Sequence, residues 1–175
     1  MSDEPLLSDP IAQIGELWRQ HGWVNAASGI EFYASITRAY QIMLNRGETI
    51  VRPFGLSWAR FEVLMLLLFS ERETLALGKI GEQLQVRPGA VTNAIDRLEA
   101  DRLVKRKPDP TDGRTTLAVL TARGRKLALK VADQLEQTVF NDLELPGADV
   151  AELVRLLHQF RAAAGDFVLT ADTTG

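Results

Sequence analysis

A chain of 175 residues, 46% hydrophobic and 25% charged, is long enough to bury a core and too apolar to stay disordered. It has no cysteine, which excludes disulfides, a thiol nucleophile and a cysteine-held metal, and its two histidines, His21 and His158, are too isolated to suggest a metal site. The net charge of −3 hides an asymmetry: residues 87–130 hold eleven basic and five acidic residues, a local +6 that leaves −9 for the rest.

In chain order, the acidic opening MSDEPLLSDP lacks a basic stretch followed by an apolar one, which argues against a secretory signal. Asp9-Pro10 opens a first helix, with Asp as the cap and Pro at the first helical position; Ile14, Leu17 and Trp18 share a face, and the helix ends near His21-Gly22. A second helix is expected from about Ser28 to Gly47, with Phe32, Ile36, Ala39/Tyr40 and Met43 at helical spacing. Ser57 caps a third, Leu56 is placed to staple against Phe61, and the run Phe61 to Phe69 is apolar on nearly every side, as in a central buried helix. A short helix at about Leu75–Gln85 points Leu77, Ile80 and Leu84 inward. After Val86-Arg87-Pro88-Gly89 another runs to about Asp101, with Val91, Ala94/Ile95 and Leu98 inward.

Leu103-Val104 begins a strand and Thr115–Leu120 is its partner, with Leu117 and Val119 on the anchoring face. Between them DPTDGR is turn chemistry: Pro presets φ, Asp bonds its own backbone, and Gly permits positive φ. Thr121 caps a long helix, about Ala122–Leu143, with a stripe of Leu127, Val131, Leu135 and Val139; Leu145-Pro146-Gly147 breaks it. A last helix, about Asp149–Ala164, carries Leu153, Val154, Leu157 and Phe160. No apolar run reaches the ~18 residues of a membrane span. With the absence of cysteine and of a signal, this leads to a cytoplasmic expectation.

The fold class is therefore mainly α with a small β-hairpin. Three compact helices followed by a hairpin make a winged helix-turn-helix, in which the third helix enters the major groove of DNA and the wing reaches the adjacent minor groove or backbone. Three parts are expected: an N-terminal helical arm (1–50), a winged-helix lobe (51–121) and C-terminal helices (122–175). The local +6 is either a solvated basic face or a surface for a polyanion.

The residues from about Ser28 to Phe160 resemble the MarR family of bacterial transcriptional regulators. The likeness is densest in VRPGAVTNAIDRLEADRLVKRKPDPTDGRTTLAVLTARG. It is carried by Gly89-Ala90, Val91-Thr92, Arg97-Leu98-Glu99, Leu103-Val104-Lys105-Arg106, Asp109 to Arg114, and Leu120-Thr121 with Gly124. One departure is Arg102, where the family usually ends the recognition helix with glycine, so a left-handed cap there is expected to be strained.

The resemblance implies a DNA-binding regulator and assigns Arg114 to the minor groove, with Asp112 expected to orient its guanidinium through an ion pair. On the recognition helix, small Ala90 allows close approach, Thr92 and Asn93 reach bases or phosphate, and Arg97 reaches phosphate or guanine. Arg87 suits a phosphate at the helix entry, while Lys105 and Arg106, with Lys107, line the rising strand.

The two terminal stripes look too wide for one small lobe to cover, so they predict a homodimer on a pseudo-palindromic operator. The family usually releases DNA when a small aromatic or anionic effector binds, so the chain reads as a repressor. Trp18, His21, Trp23, Phe32, Tyr33 and Trp58, with Glu62, are either the lining of such a cleft or ordinary core and dimer packing. The N-terminal helix is similar to that of the urate- and phenolic-responsive branch, which pairs an Asp with an Arg seven residues later. The matching positions hold Glu62 and Phe69, so the carboxylate is kept and the arginine lost, which argues against urate. No cofactor is expected. A winged helix used only for protein–protein contact is the rival reading. An enzyme is disfavoured by the missing cysteine, the isolated histidines and the absence of a phosphate loop or a paired-acid site.

Overall fold

The computed structural model describes residues 6–168, so half of the acidic opening segment lies outside the described residues. The elements run α1 (Pro10–Gln20), α2 (Val24–Val51), α3 (Trp58–Phe69), β1 (Thr74–Ala76), α4 (Leu77–Leu84), α5 (Pro88–Ala100), β2 (Val104–Pro108), β3 (Thr116–Leu120), α6 (Ala122–Leu135) and α7 (Gly147–Ala163). They fall into two units, residues 1–135 and 136–175.

In the first unit α1 begins as its cap dictates: the Asp9 carboxylate accepts the Ile11 N–H at 2.9 Å. It packs on α2, where Glu31 lies over Gly15 and accepts from Arg19 at 2.7 Å. Helix α2 is longer than expected at both ends and runs straight through Gly47. That glycine is buried, and an added Cβ would stand 2.5 Å from the Trp58 ring, so it marks a close crossing of α2 and α3, not a helix end. The face expected to be covered stays partly open, with Phe32 45% and Tyr40 64% exposed.

Helix α3 has its N-terminus satisfied twice. Ser57 Oγ accepts the Arg60 N–H at 3.4 Å, and the Glu48 carboxylate from α2 accepts the Trp58 N–H at 2.8 Å. Leu56 and Phe61, the expected staple, are both buried. Leu64 and Leu67 are fully buried, each worth ~1.5–3 kcal/mol of transfer free energy. The helix is not buried to its end, because Phe69 is 77% exposed.

The stretch expected to start a helix at Leu75 forms a third strand instead. β1 pairs antiparallel with β3, Thr74 opposite Val119 and Ala76 opposite Leu117, giving the order β1-β3-β2. Three residues are too few to carry a strand periodicity; the open edge of β3 imposes the state. The parity of β3 also differs from expectation. Ala118 and Leu120 are the buried residues, and Leu117 and Val119 are half-buried. Helix α3 packs against β3, and small Ala118 fits that approach, whereas hydrophobicity alone favoured the larger pair.

Helix α5 ends in a Schellman arrangement. The Leu103 N–H donates to the Leu98 carbonyl at 2.8 Å, and the Arg102 N–H to Glu99 at 2.9 Å. Arg102 sits at φ 62°, so the expected left-handed cap forms without glycine and carries the strain of a Cβ there. Arg102→Gly is expected to stabilise the fold by ~1 kcal/mol after allowing for the freedom glycine gains in the unfolded chain. Thermal unfolding should rise by roughly 2–4 °C; a lower midpoint would contradict the strained cap.

Thr121 starts α6 as expected, its Oγ1 accepting the Gly124 N–H at 3.0 Å. The stripe on α6 does not require a second copy of the chain: Val131 and Leu135 are fully buried within the single chain, where α6 packs on α3 and α2. The expected helix to Leu143 gives way to π winding over Glu136–Phe140. In the second unit, Pro146 precedes α7, whose Leu153, Val154, Leu156 and Phe160 are 48–60% exposed. Among the described residues no helix is long and apolar enough to cross a membrane.

Candidate nucleic-acid interface

Helix α5 divides cleanly. Val91, Ala94, Ile95 and Leu98 are buried, while Gly89, Ala90, Thr92, Asn93, Asp96 and Arg97 are exposed. Pro88 opens the helix, and Thr92 Oγ1 turns back to donate to the Pro88 carbonyl at 3.1 Å. Arg97 Nε donates to Asn93 Oδ1 at 3.1 Å, so these two polar side chains stand together on the open face, one turn apart. Arg87, immediately before the helix, is exposed.

The wing tip is built by its two aspartates. Asp109 Oδ1 accepts from the Thr111 N–H at 2.8 Å and from its hydroxyl at 2.7 Å. The Thr111 hydroxyl and then its amide hold the Asp109 carboxyl below the usual carboxylate range. Asp112 Oδ1 accepts the Arg114 backbone N–H at 3.0 Å, and its Oδ2 accepts the Thr115 hydroxyl at 2.7 Å. Asp112 therefore grips the backbone of the tip and not the Arg114 guanidinium, which corrects the expected ion pair. The reason is reach: the carboxylate is consumed by an Asx-type turn over the next three residues. Gly113 has no positive φ, so the turn does not use its conformational freedom either. Arg114 itself is exposed, and its guanidinium has no ion pair or hydrogen bond among the described residues.

The rising strand separates three cations that look alike in sequence. Side chains alternate along β2, placing Lys105 and Lys107 on the exposed face and Arg106 with buried Val104 on the face towards α5. Arg106 Nη2 pairs with Asp96 at 2.6 Å and Nη1 with Glu99 at 2.7 Å, and the Arg106 backbone N–H donates to the other Glu99 oxygen at 2.9 Å. That amide first, and then the guanidinium, holds the Glu99 carboxyl below its ordinary range. Residue types alone missed Asp96 and Glu99 as parts of this site. The available signal was the Arg-Leu-Glu to Leu-Val-Lys-Arg spacing, which puts Glu99 and Arg106 seven residues apart across a tight helix-to-strand turn.

The aromatic candidates for an effector cleft stand in different settings. Trp18 and His21 both lie against Trp23, with ring centroids at 5.2 and 5.9 Å. Tyr33 is 67% exposed and lines an open groove of about 420 Å³ with Asp9, Ile11, Thr37 and Arg38. Trp58 packs on Gly47 and on Phe61, at 5.6 Å, and Glu62 is half-buried on the same helix.

The MarR family model matches residues 56–116, which span the helix-turn-helix and most of the wing. Among curated relatives, the HTH-type transcriptional regulator MhqR of Bacillus subtilis is 30% identical over 95 residues, 54% of this chain and 64% of its own length. The chain thus spans just under two thirds of that relative. Sco5413 of Streptomyces coelicolor, a MarR family transcriptional regulator, is 39% identical with a TM-score of 0.72, covering 82% of this chain and 98% of that one. A point mutant of E. coli MarR solved with operator DNA is 25% identical with a TM-score of 0.65, over 87% of this chain and 99% of that one.

Proposed function

Since this chain belongs to the MarR family of transcriptional regulators, we propose that it binds double-stranded DNA as a homodimer. In this reading it represses from a pseudo-palindromic operator and is released by a small aromatic or anionic effector. The observation that carries the DNA-binding reading is the pairing of an Arg114 guanidinium, unpaired among the described residues, on a braced wing tip with an open polar face on α5, inside a segment of net +6.

The roles follow from reach. Ala90 and Gly89 let α5 approach base edges, Thr92 and Asn93 read or brace them, and Arg97 extends beside Asn93. Arg87, Lys105 and Lys107 neutralise phosphates, and Arg114 enters the minor groove. The dimer rests on apolar surface the single chain leaves open: Leu153, Val154 and Phe160 on α7, and Ile14 and Leu17 on α1, at 39–60% exposure. A twofold dimer would set two recognition helices ~34–36 Å apart, one turn of the duplex. The effector reading rests on the rings around Trp23 and the Tyr33 groove.

The test is a salt titration of binding to DNA from the region upstream of the protein's own coding sequence. Six to ten phosphate contacts should cost about 10³–10⁵ in affinity between ~50 and ~200 mM salt. Absence of binding at low salt would leave the winged helix as a protein-contact module.

A further inference from the structure

We propose that Arg106 is a positioning residue that clamps the wing to the recognition helix, and that it makes no contact with DNA. The proposal rests on the DNA-binding reading above and deepens it. Three observations carry it. First, strand alternation turns Arg106 towards α5, on the side of buried Val104, while Lys105 and Lys107 face out. Second, both terminal guanidinium nitrogens are taken: Nη1 by Glu99 at 2.7 Å, and Nη2 by Asp96 at 2.6 Å, with the Thr92 carbonyl at 3.5 Å. Third, Glu99 holds the same strand a second time through the Arg106 backbone amide.

The three α5 groups lie on successive turns of the exposed and flanking faces, so one planar fork spans two turns of the recognition helix from the wing side. The arrangement fixes the angle between the helix that reads the major groove and the wing that carries Arg114. It also cancels charge: Asp96 and Glu99 would otherwise place two uncompensated carboxylates beside DNA phosphates. With Nη1 and Nη2 both held by carboxylates, the Arg106 charge is compensated on the protein side, which weakens its draw towards phosphate.

The two roles predict opposite signs for one substitution. Glu99→Gln removes a negative charge from the DNA-facing lobe. If Arg106 served phosphate, this change would free it and tighten binding. As a clamp component, Glu99→Gln is expected to weaken operator binding about tenfold, or ~1.4 kcal/mol. Arg106→Gln should do the same without lowering the slope of log affinity against log salt, whereas loss of a phosphate contact lowers it by about 1. Arg106→Lys should fail to rescue, since an ammonium keeps the charge but not the fork.

The measurement is operator affinity across salt for the full-length chain and these variants, at a temperature where circular dichroism shows each to be folded. Amide exchange at residues 104–107 is followed alongside and should quicken in Glu99→Gln. If Arg106→Gln does not fold, Glu99→Gln and Asp96→Asn, which keep the arginine, decide the matter. Tighter or unchanged binding by Glu99→Gln, or a salt slope reduced by about 1 in Arg106→Gln, overturns the clamp while leaving the DNA-binding reading intact. Wild-type protein that binds no DNA at any salt removes that reading itself, a result recognisable before any variant is made.

Discussion

Arg114→Ala is expected to weaken operator binding by about 10- to 100-fold, ~1–3 kcal/mol, and to lower the salt slope by about 1. The side chain is exposed and its guanidinium is unpaired among the described residues, so its removal breaks no ion pair or hydrogen bond among them. Thermal stability should therefore stay within about 0.5 kcal/mol of wild type. Asn93→Ala is the companion variant. It should weaken binding less, and its loss should concentrate at particular base pairs, because Asn93 stands on the helix face that reads base edges. The measurement is a binding isotherm on matched and single-base-altered operators. Unchanged affinity in both variants would remove the assigned contacts.

Gly124→Ala is expected to destabilise the fold by ~1–3 kcal/mol, lowering the unfolding midpoint by about 2–12 °C. Gly124 lies in the first turn of α6, where alanine ordinarily gains ~1 kcal/mol over glycine. Here a Cβ would land on the Leu103 carbonyl oxygen, with Leu120 Cδ1 at 2.9 Å and the Leu103 carbonyl carbon at 3.0 Å. Two of these atoms are backbone and cannot swing away. The same carbonyl accepts the Thr121 N–H at 3.0 Å, and the Thr121 hydroxyl lies 3.0 Å from it as well. The exit of the recognition helix, the end of the wing and the start of α6 thus meet at one oxygen. Calorimetry gives the sign directly: a higher midpoint would mean that helix propensity wins and that the close approach does not exist.

The elements with strong local signals were legible in the chain itself. Asp9-Pro10, Ser57 and Thr121 announce helix starts because a side-chain oxygen facing free N–H groups is a local interaction, and each caps as expected. The helix-turn-helix followed by a hairpin, and the polar face of α5, follow from periodicity and turn chemistry alone. Strand β1 was invisible because three residues acquire their state from β3. Gly47 looked like a helix end because the ring it accommodates, Trp58, lies eleven residues away in sequence and touches it only after folding.

The candidate site divides in the same way. Residue types located the cations, but not which of them are free. Lys105, Arg106 and Lys107 read as one basic run, and only the pairing of β2 against β3, beside α5, turns the middle one inward onto Asp96 and Glu99. Asp112 and Arg114 read as an ion pair, but the folded tip spends the carboxylate on backbone N–H and hydroxyl donors.

The sequence by itself therefore determined the winged-helix architecture and the basic segment, because periodicity, capping and charge act over a few neighbouring residues, whereas the left-handed turn at Arg102 is seen only in the fold. Tertiary structure decided which face of β3 is buried, that the α6 stripe is covered within one chain while α7 is left open, and that Arg106 faces the protein. Each of those outcomes depends on what a distant segment packs against, which no local pattern encodes.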